Sequence, residues 1–217
     1  MRQIFLAGVL LTTFASPALA HHPLGGMPME TFGQGLLSGI GHPLLGFDHL
    51  FFVIAMGIAA LFTGRKFLTP AAYIGGMLVG CYAMYAGIGL PMKEAVIALS
   101  LLIAGGIVLS GRGLSAGAFT ALFMVFGLFH GSAFGDAMAA QEGGAGRAVL
   151  IGYLIGLGAL QYGIALLAGW VAETVFKVSS PKAIEARLAG AVVAGMGLFL
   201  SLESAEGFVM NALGWAA

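Results

Sequence analysis

The chain has 217 residues, of which 59% are hydrophobic and only 8% are charged. Soluble globular domains carry about 25% charged residues, so this composition excludes an ordinary soluble enzyme. Nine basic and nine acidic residues give a formal net charge of zero, which also excludes nucleic-acid binding, because that needs clustered basic residues. The composition therefore predicts a protein that is surrounded mostly by lipid.

The first 20 residues have the three parts of a secretory signal peptide. Arg2 supplies the positive start, an apolar run follows over 4–14, and small residues precede a cleavage point after Ala20. The apolar run is short for a spanning helix, and an uncleaved first helix is the alternative. After cleavage the chain would begin with His21 and His22, which would form either a weak site for a divalent metal or simply a free end.

Six stretches without charged residues follow the signal peptide. Each reaches the length of about 20 residues that a spanning helix needs once flanking residues are included, and no alternating pattern suggests a β-barrel. We therefore predict an all-α membrane protein, a bundle of six transmembrane helices in which residues 21–217 form one domain. The predicted helices cover approximately 43–64, 67–91, 94–111, 114–138, 147–175 and 186–209.

Basic residues in the loops predict the orientation of this bundle. With a cleaved signal peptide the N-terminus lies outside, so six basic residues fall on inner loops and only Lys93 and Arg147 fall on outer loops. This distribution agrees with the positive-inside rule and places both mature termini outside the cytoplasmic membrane. The six inner residues are Arg65, Lys66, Arg112, Lys177, Lys182 and Arg187.

Ionisable residues at membrane depth are costly and therefore indicate functional sites. His42, Asp48 and His49 open the first predicted helix. His130 and Asp136 lie in the last third of the fourth, toward the same outer leaflet. Imidazoles combined with carboxylates suit a divalent transition metal of intermediate softness, such as nickel, cobalt or zinc. The alternative is that the histidines only join helices through hydrogen bonds.

Two backbone features accompany these residues. We interpret His42-Pro43 as the entry of the first helix or a break in it, similar to the broken helices that line substrate paths in transporters. In the fourth helix Gly127, Gly131 and Gly135 repeat every four residues. This spacing predicts a face on which a neighbouring helix packs closely.

Residues 42–49 (HPLLGFDH) resemble the HPxxGxDH signature of the HupE/UreJ family, and residues 129–133 (FHGSA) resemble the start of its second signature. The resemblance covers the whole chain and implies a small bacterial membrane permease for nickel or, in some branches, cobalt. The ion would be the substrate, and no cofactor would be permanently bound. By position, the resemblance implies metal-handling roles for His42, Asp48, His49 and His130.

The second signature departs from its commoner form. Phe134 stands where that form has His, and Ala137 stands where it has Glu, while Asp136 lies one residue earlier. Branches with an aromatic residue, Gly and an acid in this order are more often linked to cobalt. The resemblance therefore leaves nickel and cobalt both open as the substrate.

Further residues and other function classes complete the expectations. Glu94 opens the third helix on the outer side, either as an additional ligand or as a carboxylate at a helix N-terminus.

Without a Walker motif, transport is expected to be facilitated or secondary. A haem-binding redox protein is the alternative, although the histidines cluster toward one face, and an intramembrane hydrolase lacks a nucleophile elbow. Gly152 and Gly156 would serve packing or dimerisation equally well, so the oligomeric state is open.

Overall fold

The computed structural model describes residues 28–140 and 145–215, which form helices and connecting turns with no strand among them. The all-α prediction is therefore confirmed for this part of the chain. The predicted signal peptide, His21 and His22 lie outside the described residues. The α-helices are α1 (Phe32–Leu45), α2 (Phe47–Ala60), α3 (Leu68–Tyr85), α4 (Lys93–Ser110), α5 (Ala116–Ala139), α6 (Arg147–Thr174) and α7 (Ile184–Ala212).

Four of these helices, α4 to α7, are long and apolar enough to cross a membrane. α1 and α2, with the short 3-10 turn Leu61–Thr63 that extends α2, make a fifth span if the bent pair counts as one. α3 has 18 residues and no charge, but three tyrosines and a Thr-Pro pair make it less apolar. By length and composition the described residues thus give four or five spans, and the sixth span, at α3, remains a prediction.

The first predicted helix is a broken helix in the structure, and its break lies at Gly46. α1 begins at a capping box, in which the Thr31 hydroxyl accepts a hydrogen bond from the Gln34 backbone and the Gln34 side chain accepts one from Thr31. It continues through His42 and Pro43 and bends by 81° into α2. This corrects the expected start near residue 43, because Pro43 weakens only the last turn of a helix that is already held by its packing against α6.

Helices pack as three close pairs whose backbones touch at glycines. A Cβ atom at these glycines would collide with the backbone of the partner helix, so only Gly permits the observed approach. The predicted packing face of α5 is confirmed, and Gly152 and Gly156 pack within the chain against α1. Examples are Gly127 and Gly131 of α5 on α3, Gly105 of α4 on α7, and Gly35 of α1 on α6, and Gly57 of α2 also meets the α6 backbone.

The direction of each pair gathers the polar residues at one end of the bundle. α1 runs parallel to α6 and α3 runs parallel to α5, whereas α4 and α7 are antiparallel. The first turns of α4 and α6 therefore lie beside the last turns of α5, and we call this the cavity end. We call the other side of the bundle the opposite end. It contains the last turns of α4 and α6, the first turn of α7, and the residues that join α2 to α3.

Candidate metal site

A cavity of about 290 Å³ lies at the cavity end, and five ionisable side chains line it. Six water molecules occupy roughly 180 Å³ in the liquid, so a divalent ion that keeps its inner water shell would fit. Small residues of α5, including Ala133 and Ala137, form part of the wall. The ionisable lining residues are His42, Asp48, His49, Glu94 and Asp136.

The bend between α1 and α2 brings three of these side chains to one volume. On a straight helix His42 and Asp48 would point in very different directions, since they are six residues apart. The bend at Gly46 places His42, from the last turn of α1, beside the first turn of α2. A Cβ at Gly46 would come within 2.9 Å of the His49 ring and 3.3 Å of an Asp48 carboxylate oxygen. A side chain at position 46 would therefore displace the His49 ring or the Asp48 carboxylate.

His49 leads away from the cavity into a chain of buried hydrogen bonds. Its Nδ1 lies 2.8 Å from Nδ1 of His130, and Nε2 of His130 lies 2.8 Å from Oγ of Ser100. The Ser100 hydroxyl donates to the carbonyl oxygen of Ile97 over 2.7 Å. On the cavity side, Nε2 of His49 is 3.7 Å from Oδ2 of Asp48. His130 is completely buried and lies one layer below the cavity lining.

His42 has a shorter chain of the same kind. Its Nδ1 lies 2.8 Å from the Tyr153 hydroxyl, which donates to the carbonyl oxygen of Phe134 over 3.0 Å. The Phe134 ring packs against both cavity imidazoles, with centroid distances of 5.1 Å to His42 and 4.1 Å to His49. Phe134 stands where the commoner second signature has His. It therefore forms an apolar wall next to both imidazoles.

The carboxylates of the cavity are not equivalent. Asp136 pairs with Lys93, whose Nζ is 2.5 Å from each carboxylate oxygen. Glu94 follows Lys93 in the first turn of α4 and also lines the cavity, together with Asp48. Three carboxylates against one ammonium leave a negative potential in the cavity, which favours a cation. Sequence reasoning used Lys93 only to orient the bundle, although its place at the start of α4 predicts that it lies near Asp136.

The cavity residues do not already form a metal shell. Within residues 28–140 and 145–215, no three His, Cys, Asp or Glu side chains are grouped closely enough to hold an ion together. The ionisable groups instead lie on different walls of a cavity that has room for water. Such an arrangement suits an ion that is held partly through its own water molecules, and it allows a substrate to leave.

Aromatic side chains close the space below the cavity. The ring of Phe52 packs on His130 at a centroid distance of 4.4 Å, and it also contacts Tyr73 at 5.2 Å and Phe123 at 5.6 Å. All four residues are completely buried. A layer of packed rings, which we call the aromatic floor, therefore lies next to His130 and closes the core below the cavity.

Comparison with known proteins assigns the chain to a family. The family model described as HupE / UreJ protein matches residues 9–200, which is most of the chain. The chain belongs to the HupE/UreJ family. Protein HupE of Rhizobium leguminosarum bv. viciae is 28% identical over 156 residues, which span 68% of this chain and 79% of that relative. No solved structure gives a significant match.

The structure of this HupE/UreJ protein gathers most of the residues that the sequence singled out. Four of the five predicted metal ligands line one cavity, and Glu94, the additional candidate, lines it too. His130 is next to this cavity but behind His49. Sequence reasoning missed Ser100 and Tyr153, whose hydroxyls join the imidazoles to backbone carbonyls. A buried Ser or Tyr in an apolar helix was the available signal.

Proposed function

We propose that this protein carries Ni²⁺ or Co²⁺ inward across the cytoplasmic membrane of a bacterium, by facilitated or secondary transport. The HupE/UreJ family is linked to nickel and cobalt uptake, and the long apolar helices suit a multi-pass membrane protein. The cavity end would face outward, with the basic residues of the opposite end inside. The ion is the substrate, and the protein is not an enzyme in this proposal.

The observation that carries the proposal is the composition of the cavity lining. Two imidazoles and three carboxylates line a cavity within a bundle of apolar helices, where each ionisable group is costly. Nitrogen and oxygen ligands of this kind suit nickel and cobalt, and no thiol lines the cavity. His42, Asp48 and His49 would contact the ion, while Glu94 and Asp136 would attract it and complete its coordination directly or through water.

Passage would follow capture. The aromatic floor closes the core below the cavity, so inward movement through the core would require that Phe52 and its neighbours shift. The ion would give up part of its water shell as the imidazoles bind it. Because metal ligands must be deprotonated, each captured ion would compete with protons for the same side chains.

The geometry disfavours a haem that is held between His49 and His130. In a haem with two imidazole ligands the iron lies between two ring nitrogens, each about 2 Å away. The Nδ1 atoms of His49 and His130 are only 2.8 Å apart and are hydrogen-bonded to each other. A haem would need this buried pair to separate.

Uptake of radiolabelled Ni²⁺, Co²⁺ and Zn²⁺ by cells that lack their own importers tests the proposal. We expect the wild type to raise uptake of nickel or cobalt above that of the empty vector, and His42→Ala to abolish the increase at equal membrane expression. Tyr82→Phe, a conservative change at an exposed ring on α3, serves as a control. Uptake of neither nickel nor cobalt, or full uptake by His42→Ala, would contradict the proposal.

A further inference from the structure

Two hydroxyl groups that lie outside the cavity end the hydrogen-bonded chains behind the two cavity imidazoles. A hydroxyl has one proton to donate, and a neutral imidazole has one N–H and one lone pair. The direction of a hydrogen-bonded chain is therefore fixed once its last donor is known. In both imidazole chains the last donor is a hydroxyl and the last acceptor is a backbone carbonyl, which can only accept.

The chain behind His49 can be followed atom by atom. Ser100 gives its proton to the Ile97 carbonyl, so it accepts from Nε2–H of His130. Neutral His130 then has its lone pair on Nδ1 and accepts from Nδ1–H of His49. The lone pair of His49 is therefore on Nε2, the nitrogen that is 3.7 Å from Asp48 and on the cavity side.

The chain behind His42 gives the same result by a different route. Tyr153 donates its only hydroxyl proton to the Phe134 carbonyl. Its oxygen therefore accepts from Nδ1–H of His42, which puts the lone pair of His42 on Nε2. Tyr153 is completely buried, so water does not compete for this bond.

We propose, on the basis of the metal-transport function above, that Ser100 and Tyr153 are positioning residues that fix Nε2 of His49 and His42 as the metal-binding nitrogens. His130 is in this view the middle member of one chain and not a ligand, because both of its ring nitrogens are engaged in that chain. Partners behind metal-binding histidines hold the ring and its tautomer, and their loss typically weakens metal binding about 10- to 100-fold.

Equilibrium binding of Co²⁺ to the purified full chain in detergent tests the positioning role. We expect Ser100→Ala to raise the dissociation constant about 10- to 100-fold. The matched control is Ser132→Ala, which also removes a completely buried hydroxyl, in this case one that accepts a hydrogen bond from the Leu90 backbone. At equal thermal stability of the two variants, equal Co²⁺ affinity would overturn the role of Ser100.

A second pair of variants tests the proposal even if Ser100→Ala fails to fold. Tyr153→Phe and Tyr85→Phe each lose one hydrogen bond from a phenol hydroxyl to a backbone carbonyl, at Phe134 and Ala145 respectively. We expect weaker Co²⁺ binding only for Tyr153→Phe. Similar binding by these two variants would overturn the role of Tyr153.

X-ray absorption spectroscopy of the Co²⁺-loaded wild type tests the place of His130. Two imidazoles around the cobalt, from His42 and His49, would support the proposal, whereas three would make His130 a ligand and overturn it. Failure of the wild type to bind either Co²⁺ or Ni²⁺ would overturn both this inference and the proposed function. Normal binding by the wild type with unaffected Ser100→Ala and Tyr153→Phe would overturn the inference alone.

Discussion

The two ends of the bundle each have a lysine–carboxylate pair, yet the surroundings of the two pairs differ. At the opposite end Lys66 lies 2.6 Å from Glu173, with the side chains 39% and 48% exposed. At the cavity end Lys93 lies 2.5 Å from Asp136, with 21% and 45% exposed. The pairs have the same chemistry, but only Asp136 shares a cavity with imidazoles and further carboxylates.

We therefore expect metal handling to depend on which charged groups line the same cavity, and not on the presence of an ion pair alone. The opposite end has most of the basic residues, which is typical of the side of a membrane protein that stays in the cytoplasm. The cavity end has two imidazoles and three carboxylates around one cavity, and the Lys93 ammonium pairs with Asp136, which we propose as a metal ligand. Substitutions at matched positions of the two ends should therefore give different results.

The largest difference is expected between Asp48→Asn and Glu173→Gln. Each substitution removes one negative charge, which lies 3.7 Å from Nε2 of His49 or 2.6 Å from Nζ of Lys66. Because Asp48 lies in the cavity, we expect its loss to reduce nickel or cobalt uptake by at least about 100-fold, beyond the effect of losing a partner behind the ligands. Glu173→Gln should transport like the wild type. Similar uptake by both variants would remove the distinction between the two ends.

Next in size is the effect of Gly131→Ala on stability. A Cβ at Gly131 would collide with the Met77 carbonyl of α3, whereas Gly117, on the same helix, has open space around it. We expect Gly131→Ala to destabilise the protein by about 1–3 kcal/mol through overpacking, and Gly117→Ala to leave stability unchanged or slightly higher. The folded fraction that remains after heating in detergent measures this, and equal melting of the two variants would contradict the close packing of α3 on α5.

A smaller effect is expected when Lys93 loses its charge. The ammonium is 2.5 Å from both carboxylate oxygens of Asp136, so it competes electrostatically with an arriving cation. Lys93→Gln should lower the nickel or cobalt concentration for half-maximal uptake by about 3- to 10-fold, in line with roughly 1 kcal/mol for two unit charges about 4 Å apart in water. Lys66→Gln, at the opposite end, should leave that concentration unchanged. A higher half-maximal concentration in Lys93→Gln would show that the ammonium helps capture instead.

The smallest effect is expected on stability at the opposite end. The side chains of Lys66 and Glu173 are both more than a third exposed, and exposed ion pairs contribute only about 0–1 kcal/mol. Lys66→Gln should therefore melt within a few degrees of the wild type. A large loss of stability would show that this pair holds α6 in place.

The sequence singled out most of the residues that line the cavity, but not their arrangement. Ionisable residues stand out in an apolar chain, so His42, Asp48, His49 and Asp136 could be identified from composition and position. The bend could not be placed at Gly46, because Pro43 and Gly46 lie three residues apart and either could break the helix.

The sequence shows that Ser100 and Tyr153 lie in apolar helices, but it does not show which histidine each hydroxyl meets. Ser100 lies 30 residues from His130, and Tyr153 lies 111 residues from His42. Each pairing depends on how closely glycine contacts let the helices approach, and side-chain periodicity does not contain that information. Gly127, Gly131 and Gly135 did predict the presence of a close helix contact, but not which helix makes it.

Binding of Ni²⁺ or Co²⁺ to the purified chain, compared between the wild type and Asp48→Asn by titration calorimetry, is the most direct test of the central claim that the cavity captures the ion. We predict one ion bound per wild-type chain, loss of this binding in Asp48→Asn, and full binding in Glu173→Gln. No binding by the wild type, or equal binding by Asp48→Asn, would contradict the claim.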